Sequence, residues 1–228
     1  MKLCEKIRIV IIDIGHQDSD IGACANGIRE VDLNVQIAKT VKAELERHGV
    51  TVIITTGTLL SRVQTEHIKE PEYFISIHCN AGGGDGAEVW VYGNVFPQRG
   101  LAQNIIDAIK ADGCNNIRGI KDCKGTSKEL YVLKNTYCPA VLVECAFIDS
   151  KDVECVDELH EQQAFGKAIA KGILQTLKID YIEESTSNTL YRVCVGAYRD
   201  KNNATKVQAE AKTKGFKDTY IVEVKDNG

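Results

Sequence analysis

Four side chains stand out as able to do chemistry together: His16, Glu30, His78 and Glu144. Two imidazoles and one carboxylate are a known ligand set for a hydrolytic zinc, leaving one position for water. A metal held in this way lowers the pKa of its water to about 7, which yields hydroxide near neutral pH. Moving the protons then requires a further carboxylate. Glu144 is the one glutamate in the otherwise apolar run AVLVEC at 140–145, where burial raises a carboxyl pKa toward the range of a general base. Taken singly, the residues have plainer readings. Glu30 suits the first turn of a helix, favoured by the dipole, and a histidine at a strand end is commonly a loop residue. Their matching topological positions are what argue for a site.

Those positions follow from the elements that carry them. IRIVII at 7–12 is a β-branched apolar strand, and His16 follows it in a polar loop that closes on Glu30. Leu33, Ile37, Ala38, Val41 and Leu45 recur at helical spacing, with Gly49 placed to stop the helix. Val50 to Thr55 is a second strand, so a right-handed crossover makes the pair parallel. Residues 57–71 read as a short helix and loop. Tyr73 to His78 and Ala87 to Tyr92 are further strands, separated by the glycine-rich turn at 81–86. A helix through Leu101, Ile105 and Ile109 ends near Gly113, residues 114–129 are irregular, and Leu130 to Leu133 is a short strand. Ala140 to Cys145 is apolar enough to be central and buried on both faces. Leu159, Phe165, Ile169, Ile173 and Leu177 mark a closing helix. The expected fold class is α/β: a mixed, mostly parallel central sheet flanked by helices. Sites in such sheets form beyond the carboxyl ends of the strands.

Residues 180–189, DYIEESTSNT, lose the apolar period and are expected to be a linker between a main domain at 1–179 and a tail at 190–228. The tail reads as a small βαβ unit, with strands at 191–198 and 219–224 around a helix at 202–214. At about 40 residues it is near the lower limit for folding alone.

Composition narrows the possible partners. The 228 residues are 43% apolar and 26% charged, with a net charge of −4. No Lys/Arg-rich block is present, which argues against nucleic acid or an anionic membrane. No segment reaches membrane length, and the amino terminus lacks the pattern of a leader. Synthesis in the cytoplasm without an export signal is therefore expected. The nine cysteines form no CxxC pair, so reduced, packed thiols are expected. A thiol nucleophile at Cys79 fails on geometry, because adjacent strand residues point to opposite faces and His78 cannot activate its neighbour. A dinucleotide site fails too. The first loop has no GxGxxG, and its helix opens with Glu30 and Asp32, which would repel a pyrophosphate.

Three blocks in order then resemble a known family. IIDIGH…IGA…NGIRE…LN, FISIHCNA and IRGIK…LYVL…CPAVLVECAFIDSKDVE are similar to the blocks of the zinc-dependent N-acetylmuramoyl-L-alanine amidases of the Amidase_3 type. The resemblance covers nearly all of 7–177. It implies one zinc per chain on His16, Glu30 and His78, a catalytic Glu144, and substrate contacts at Asn80 and Arg118. The implied reaction is hydrolysis of the amide between the lactyl group of N-acetylmuramic acid and L-alanine in peptidoglycan. The chain departs from the family pattern at Ile14, Gln17 and Thr56, which affects the first loop and the groove wall but no ligand. YRVCVGAY…TYIVEV resembles half of a SPOR wall-binding repeat, which implies wall attachment or pairing of two tails in a homodimer. With that activity, the expected lack of an export signal suggests a phage or prophage endolysin, or an autolysin acting during mother-cell lysis, that reaches the cell wall after release. The alternatives are a catalytically silent wall-binding protein on the same fold and a zinc carboxypeptidase trimming stem peptides.

Overall fold

A computed structural model describes residues 7–17, 19–112, 116–184, 196–216 and 219–223. The chain divides into two units, Met1–Glu183 and Glu184–Gly228. In the first, the IVIIDI run forms β1 (Ile9–Ile14), followed by a small hairpin of β2 (Cys24–Ala25) and β3 (Ile28–Arg29). Helix α1 (Glu30–Arg47) begins directly after the hairpin and leads to β4 (Thr51–Thr55), α2 (Leu59–Lys69) and β5 (Tyr73–Asn80). Then come β6 (Ala87–Val91), α3 (Gln98–Ala111), β7 (Ile117–Asp122), α4 (Tyr131–Asn135), β8 (Ala140–Phe147), a 3₁₀ turn at Lys151–Cys155 and α5 (Leu159–Leu177).

The central sheet has six strands in the order β4-β1-β5-β8-β6-β7. From β4 to β8 all neighbours are parallel; β6 runs antiparallel to β8, and β7 is parallel to β6. The sheet is thus mixed and mostly parallel, as expected. Its two innermost strands are almost wholly buried, which accounts for the near-continuous apolar runs FISI and AVLV.

Side-chain alternation sorts the sheet into two faces. One face carries Val10, Ile12, Ile75, Ile77, Val141, Val143, Cys79 and Cys145 into the large core closed by α1, α3 and α5. The other carries Ile11, Phe74, Ala140 and Leu142 into a smaller cluster under Val132 and Leu133 of α4. Asp13, Ser76, His78, Glu144 and Glu88 continue that second face toward the opposite end of the sheet. The larger core provides rigidity, and the thinly covered face keeps its polar end accessible.

Two expectations for this unit need correction. Residues 117–122, within the stretch expected to be irregular, form the edge strand β7. Residues 130–133, expected as a strand, supply instead the N-cap and first turn of α4, where Val132 and Leu133 are buried against the sheet. A five-residue segment has too little local preference to choose, and packing onto the sheet and α2 decides. In addition, Tyr181 and Ile182 pack on α1. The Tyr181 ring stacks on His48, its hydroxyl donates to Glu44 Oε2 at 3.0 Å, and the Ile182 amide donates to His48 Nε2 at 2.9 Å. His48 and His67 are both packed, His67 against the Tyr137 ring at 3.9 Å.

In the second unit, α6 spans Lys201–Thr213, capped by Asp200 accepting from the Asn202 amide. Most of the first strand expected there, residues 191–195, lies outside the described residues, and no strand is assigned at 219–223.

Candidate metal centre

Glu30 is the hub. The hairpin β2–β3 turns on Asn26-Gly27, both at positive φ (54° and 79°), the pattern of a two-residue type I′ turn. This tight turn delivers the chain straight into α1 with Glu30 as its first residue. The carboxylate is buried, and burial alone would raise its pKa. Hydrogen bonds from His16 and His78 outweigh that cost and hold it below the usual carboxylate range. Its Oε2 lies 3.1 Å from His16 Nε2, and its Oε1 lies 3.0 Å from His78 Nδ1. The amides of Ala23 and Cys79 donate to the same two oxygens at 3.0 and 3.2 Å. Asn34, one turn along α1, donates to Glu30 Oε1 at 3.4 Å and to the Gly15 carbonyl at 3.2 Å.

His16 sits two residues beyond β1 with φ of +65°, a conformation that turns its ring back over the sheet edge. The hydrogen bond with Glu30 raises its pKa to about 9 against the opposing effect of burial. Its Nδ1 faces Asp20 Oδ2 at 3.1 Å, an outer carboxylate of the kind that fixes a ligand histidine's tautomer and orientation. His78 lies within β5, its ring 5.0 Å from that of His16 and nearly perpendicular to it. The three expected ligands therefore converge, with one ligand atom from each within 4.8 Å of the others.

Zinc fits this cluster on two grounds. The donor set is two imidazole nitrogens and a carboxylate held ionised at one point. The glycines around it are cut to the shape of the ligands. A Cβ on Gly15 would come within 2.5 Å of the His78 ring, and one on Gly22 (φ +69°) within 2.5 Å of Glu30 Oε2 and 2.6 Å of His16 Cδ2.

Glu144 faces His78 across the parallel ladder, in direct register. Its Oε2 is buried and has no hydrogen-bond partner among the described residues. Desolvation, with smaller opposing help from His78, brings its pKa up to about 7. A carboxyl group poised near neutrality beside a metal-ligand cluster can take and return a proton. Cys79 and Cys145, the neighbours of His78 and Glu144 in sequence, lie in the core behind the sheet. Mutual contact and burial push the Cys79 thiol up, so it packs as a buried thiol and not as a nucleophile. All six cysteines among the described residues are free.

Four contributing residues escaped the sequence reading: Asp20, Asn34, Arg62 and Glu88. Arg62 of α2 is buried beneath the His16 loop. Its Nη1 donates to Asp13 Oδ1 at 2.7 Å and to the Ile14 carbonyl, its Nη2 to the His16 carbonyl at 2.7 Å, and its Nε to the Gly57 carbonyl at 2.9 Å. Thr55 and Ser76 complete the shell around Asp13 at 2.9 and 2.6 Å. Arg62→Ala is expected to destabilise the fold by about 3–5 kcal/mol, because it strands the buried Asp13 carboxylate. Urea unfolding of the two proteins measures the difference.

Asn80 and Arg118, expected near the substrate, come together on Glu88. Asn80 Nδ2 and Trp90 Nε1 donate to Glu88 Oε1 at 3.1 and 3.0 Å, and Arg118 Nε donates to Oε2 at 2.7 Å. Glu88 pairs with Glu144 in the antiparallel ladder. His78, Glu144 and Glu88 thus form one row across three adjacent strands.

A mostly parallel α/β sheet with two imidazoles and an ionised carboxylate beside a near-neutral buried glutamate has the form of a mononuclear metallohydrolase. Comparison with known proteins gives the family. The N-acetylmuramoyl-L-alanine amidase model (Amidase_3) matches residues 10–175, and a SPOR domain model matches residues 165–223. The chain belongs to the N-acetylmuramoyl-L-alanine amidase family. It is 32% identical over 215 residues to the N-acetylmuramoyl-L-alanine amidase CwlM of Bacillus licheniformis, covering 91% of this chain and 82% of that one. It is 31% identical over 227 residues to the sporulation-specific N-acetylmuramoyl-L-alanine amidase of Bacillus subtilis, covering 95% and 85%. Among solved structures, the amidase AmiC2 of Nostoc punctiforme is similar with a TM-score of 0.69 and 30% identity, covering 75% of this chain and 97% of that one. No helix among the described residues is long and apolar enough to cross a membrane.

Proposed function

We propose that this peptidoglycan hydrolase cleaves the lactyl–L-alanine amide with one zinc held by His16, Glu30 and His78, and with Glu144 as general base and acid. The observation that carries the proposal is the convergence of the three ligand groups beside a carboxyl group whose pKa lies near 7. Zinc, when bound, supplies a Lewis acid for the amide carbonyl and a water of lowered pKa. Glu144 takes a proton from the attacking water on its carboxylate. It then delivers that proton to the amide nitrogen, so that the stem peptide leaves as an amine. Burial favours the neutral acid after the first transfer, and the nearby His78 limits how far the pKa rises. Asp20, Asn34 and the backbone amides of Ala23 and Cys79 hold the ligands in place.

Asn80 and Arg118 contact substrate in this reading, being anchored one strand beyond Glu144. The tail matched by the SPOR model serves wall attachment, and pairing of two tails is the further role proposed for it. Such an activity is that of an endolysin or autolysin. The test is a zinc titration coupled to sacculus lysis: lytic activity reaches its maximum at one zinc per chain and returns after chelation and reloading. A folded chain that takes up no zinc, or takes it up and leaves sacculi intact, contradicts the proposal.

A further inference from the structure

The row His78–Glu144–Glu88 ends in a cation whose placement is unusually determined. The Arg118 guanidinium is fixed on two sides: its Nε donates to the buried Glu88 at 2.7 Å, and its carbon lies 5.1 Å from the centre of the Phe147 ring. Glu88 is itself immobilised by Asn80 and Trp90. The Arg118 side chain remains 41% exposed to solvent, and its two terminal nitrogens make no hydrogen bond to another described residue. A guanidinium held at Nε and resting on an aromatic ring presents a preorganised pair of N–H donors. That fork matches a carboxylate.

The spacing says which carboxylate. Neighbouring strands lie about 4.8 Å apart, so Glu88 stands about one strand spacing from Glu144, and the next strand, which carries Arg118, about two. The scissile carbonyl has to lie beside the metal ligands and Glu144. By standard bond lengths, the α-carboxyl group of the second amino acid after that carbonyl lies roughly 7 Å away along an extended peptide. That length falls between one and two strand spacings. From this row we infer that Arg118 is a specificity-determining residue that reads a free α-carboxylate on the second residue of the stem peptide, with Glu88 as the residue that positions it. The inference rests on the amidase reading and adds the direction of the peptide across the sheet, from β8 over β6 toward β7.

The experiment compares two muropeptides that differ only in the second stem residue, one with a free α-carboxylate and one with the carboxamide. The wild-type, zinc-loaded full chain is expected to favour the carboxylate by tenfold or more in kcat/KM, chiefly through KM, as a lost charged hydrogen bond implies. Arg118→Ala brings the ratio near one, because kcat/KM on the carboxylate substrate falls at least several-fold further than on the carboxamide. Arg118→Lys keeps a cation for Glu88 but loses the fork, so the ratio falls by several-fold with folding preserved. Glu88→Gln lowers the ratio as well, because the guanidinium loses its anchor. A wild-type ratio near one overturns the inference, as does a ratio unchanged in Arg118→Ala or Arg118→Lys. An equal fall on both substrates overturns it too, leaving Arg118 only as the counter-ion of Glu88. Failure of the zinc-loaded wild type to cleave either substrate contradicts the amidase reading instead, so the two failures are distinguishable.

Discussion

Replacing Glu144 by glutamine is expected to lower kcat about 100- to 10,000-fold while one zinc per chain stays bound. The carboxamide keeps the volume of the side chain, so the sheet around it is not opened. It cannot accept the proton of the attacking water or return one to the departing nitrogen. Because Glu144 is outside the ligand cluster, metal content and thermal stability remain near those of wild type. Glutamine removes the charge that burial penalises, at a position where Oε2 has no partner among the described residues. The activity loss is therefore separable from misfolding by measuring kcat, zinc content and melting temperature on the same preparation. Loss of zinc in this variant would place Glu144 among the ligands and not in proton transfer.

The second large effect lies in the pH dependence of zinc binding. In the metal-free protein His16 has a pKa of about 9 because Glu30 holds its proton, whereas a zinc-ligating imidazole must be neutral. At pH 7 zinc therefore has to displace that proton. About one proton is expected to be released per zinc, with zinc affinity rising up to tenfold per pH unit until about pH 9 and levelling above it. The stability of the metal-free protein runs the other way. His16 has a folded-state pKa above its ordinary value of 6.5. Its stabilising contribution is fully present below about 6.5 and is lost as pH rises through about 9. The gain in melting temperature on adding zinc is thus larger at pH 9 than at pH 7. Calorimetry in buffers of different ionisation enthalpy counts the protons. A buffer-independent enthalpy would show that His16 binds zinc without giving up a proton.

The four central residues were readable in advance because each stands out against its local pattern. Two histidines follow or close apolar strands, one acid opens a helix, and one glutamate interrupts a buried run. Their convergence followed from the parallel order of strands, which the strand–helix–strand periodicity already required. What stayed hidden depended on distance in the sequence. Arg62 lies in a polar helix, and only its pairing with Asp13, 49 residues earlier, makes it a buried support for the His16 loop. The edge strand β7, IRGIKD, alternates weakly because a strand at the rim buries little. The α4 turn gets its conformation from the sheet it covers. Two misses had a visible signal. Glu88 interrupts the apolar strand AEVWV just as Glu144 interrupts AVLVEC. Asn26-Gly27 is the strongest short-range sign of a hairpin, and that hairpin sets the position of Glu30.

The most direct test is mass spectrometry of muropeptides released from purified sacculi by the zinc-loaded protein. Intact stem peptides with a free L-alanine amino terminus, together with glycan strands bearing free lactyl carboxyl groups, are the expected products. Single amino acids released from the carboxyl ends of stems still attached to glycan would contradict this and make the protein a carboxypeptidase. Intact sacculi with zinc bound would leave it a silent wall-binding protein.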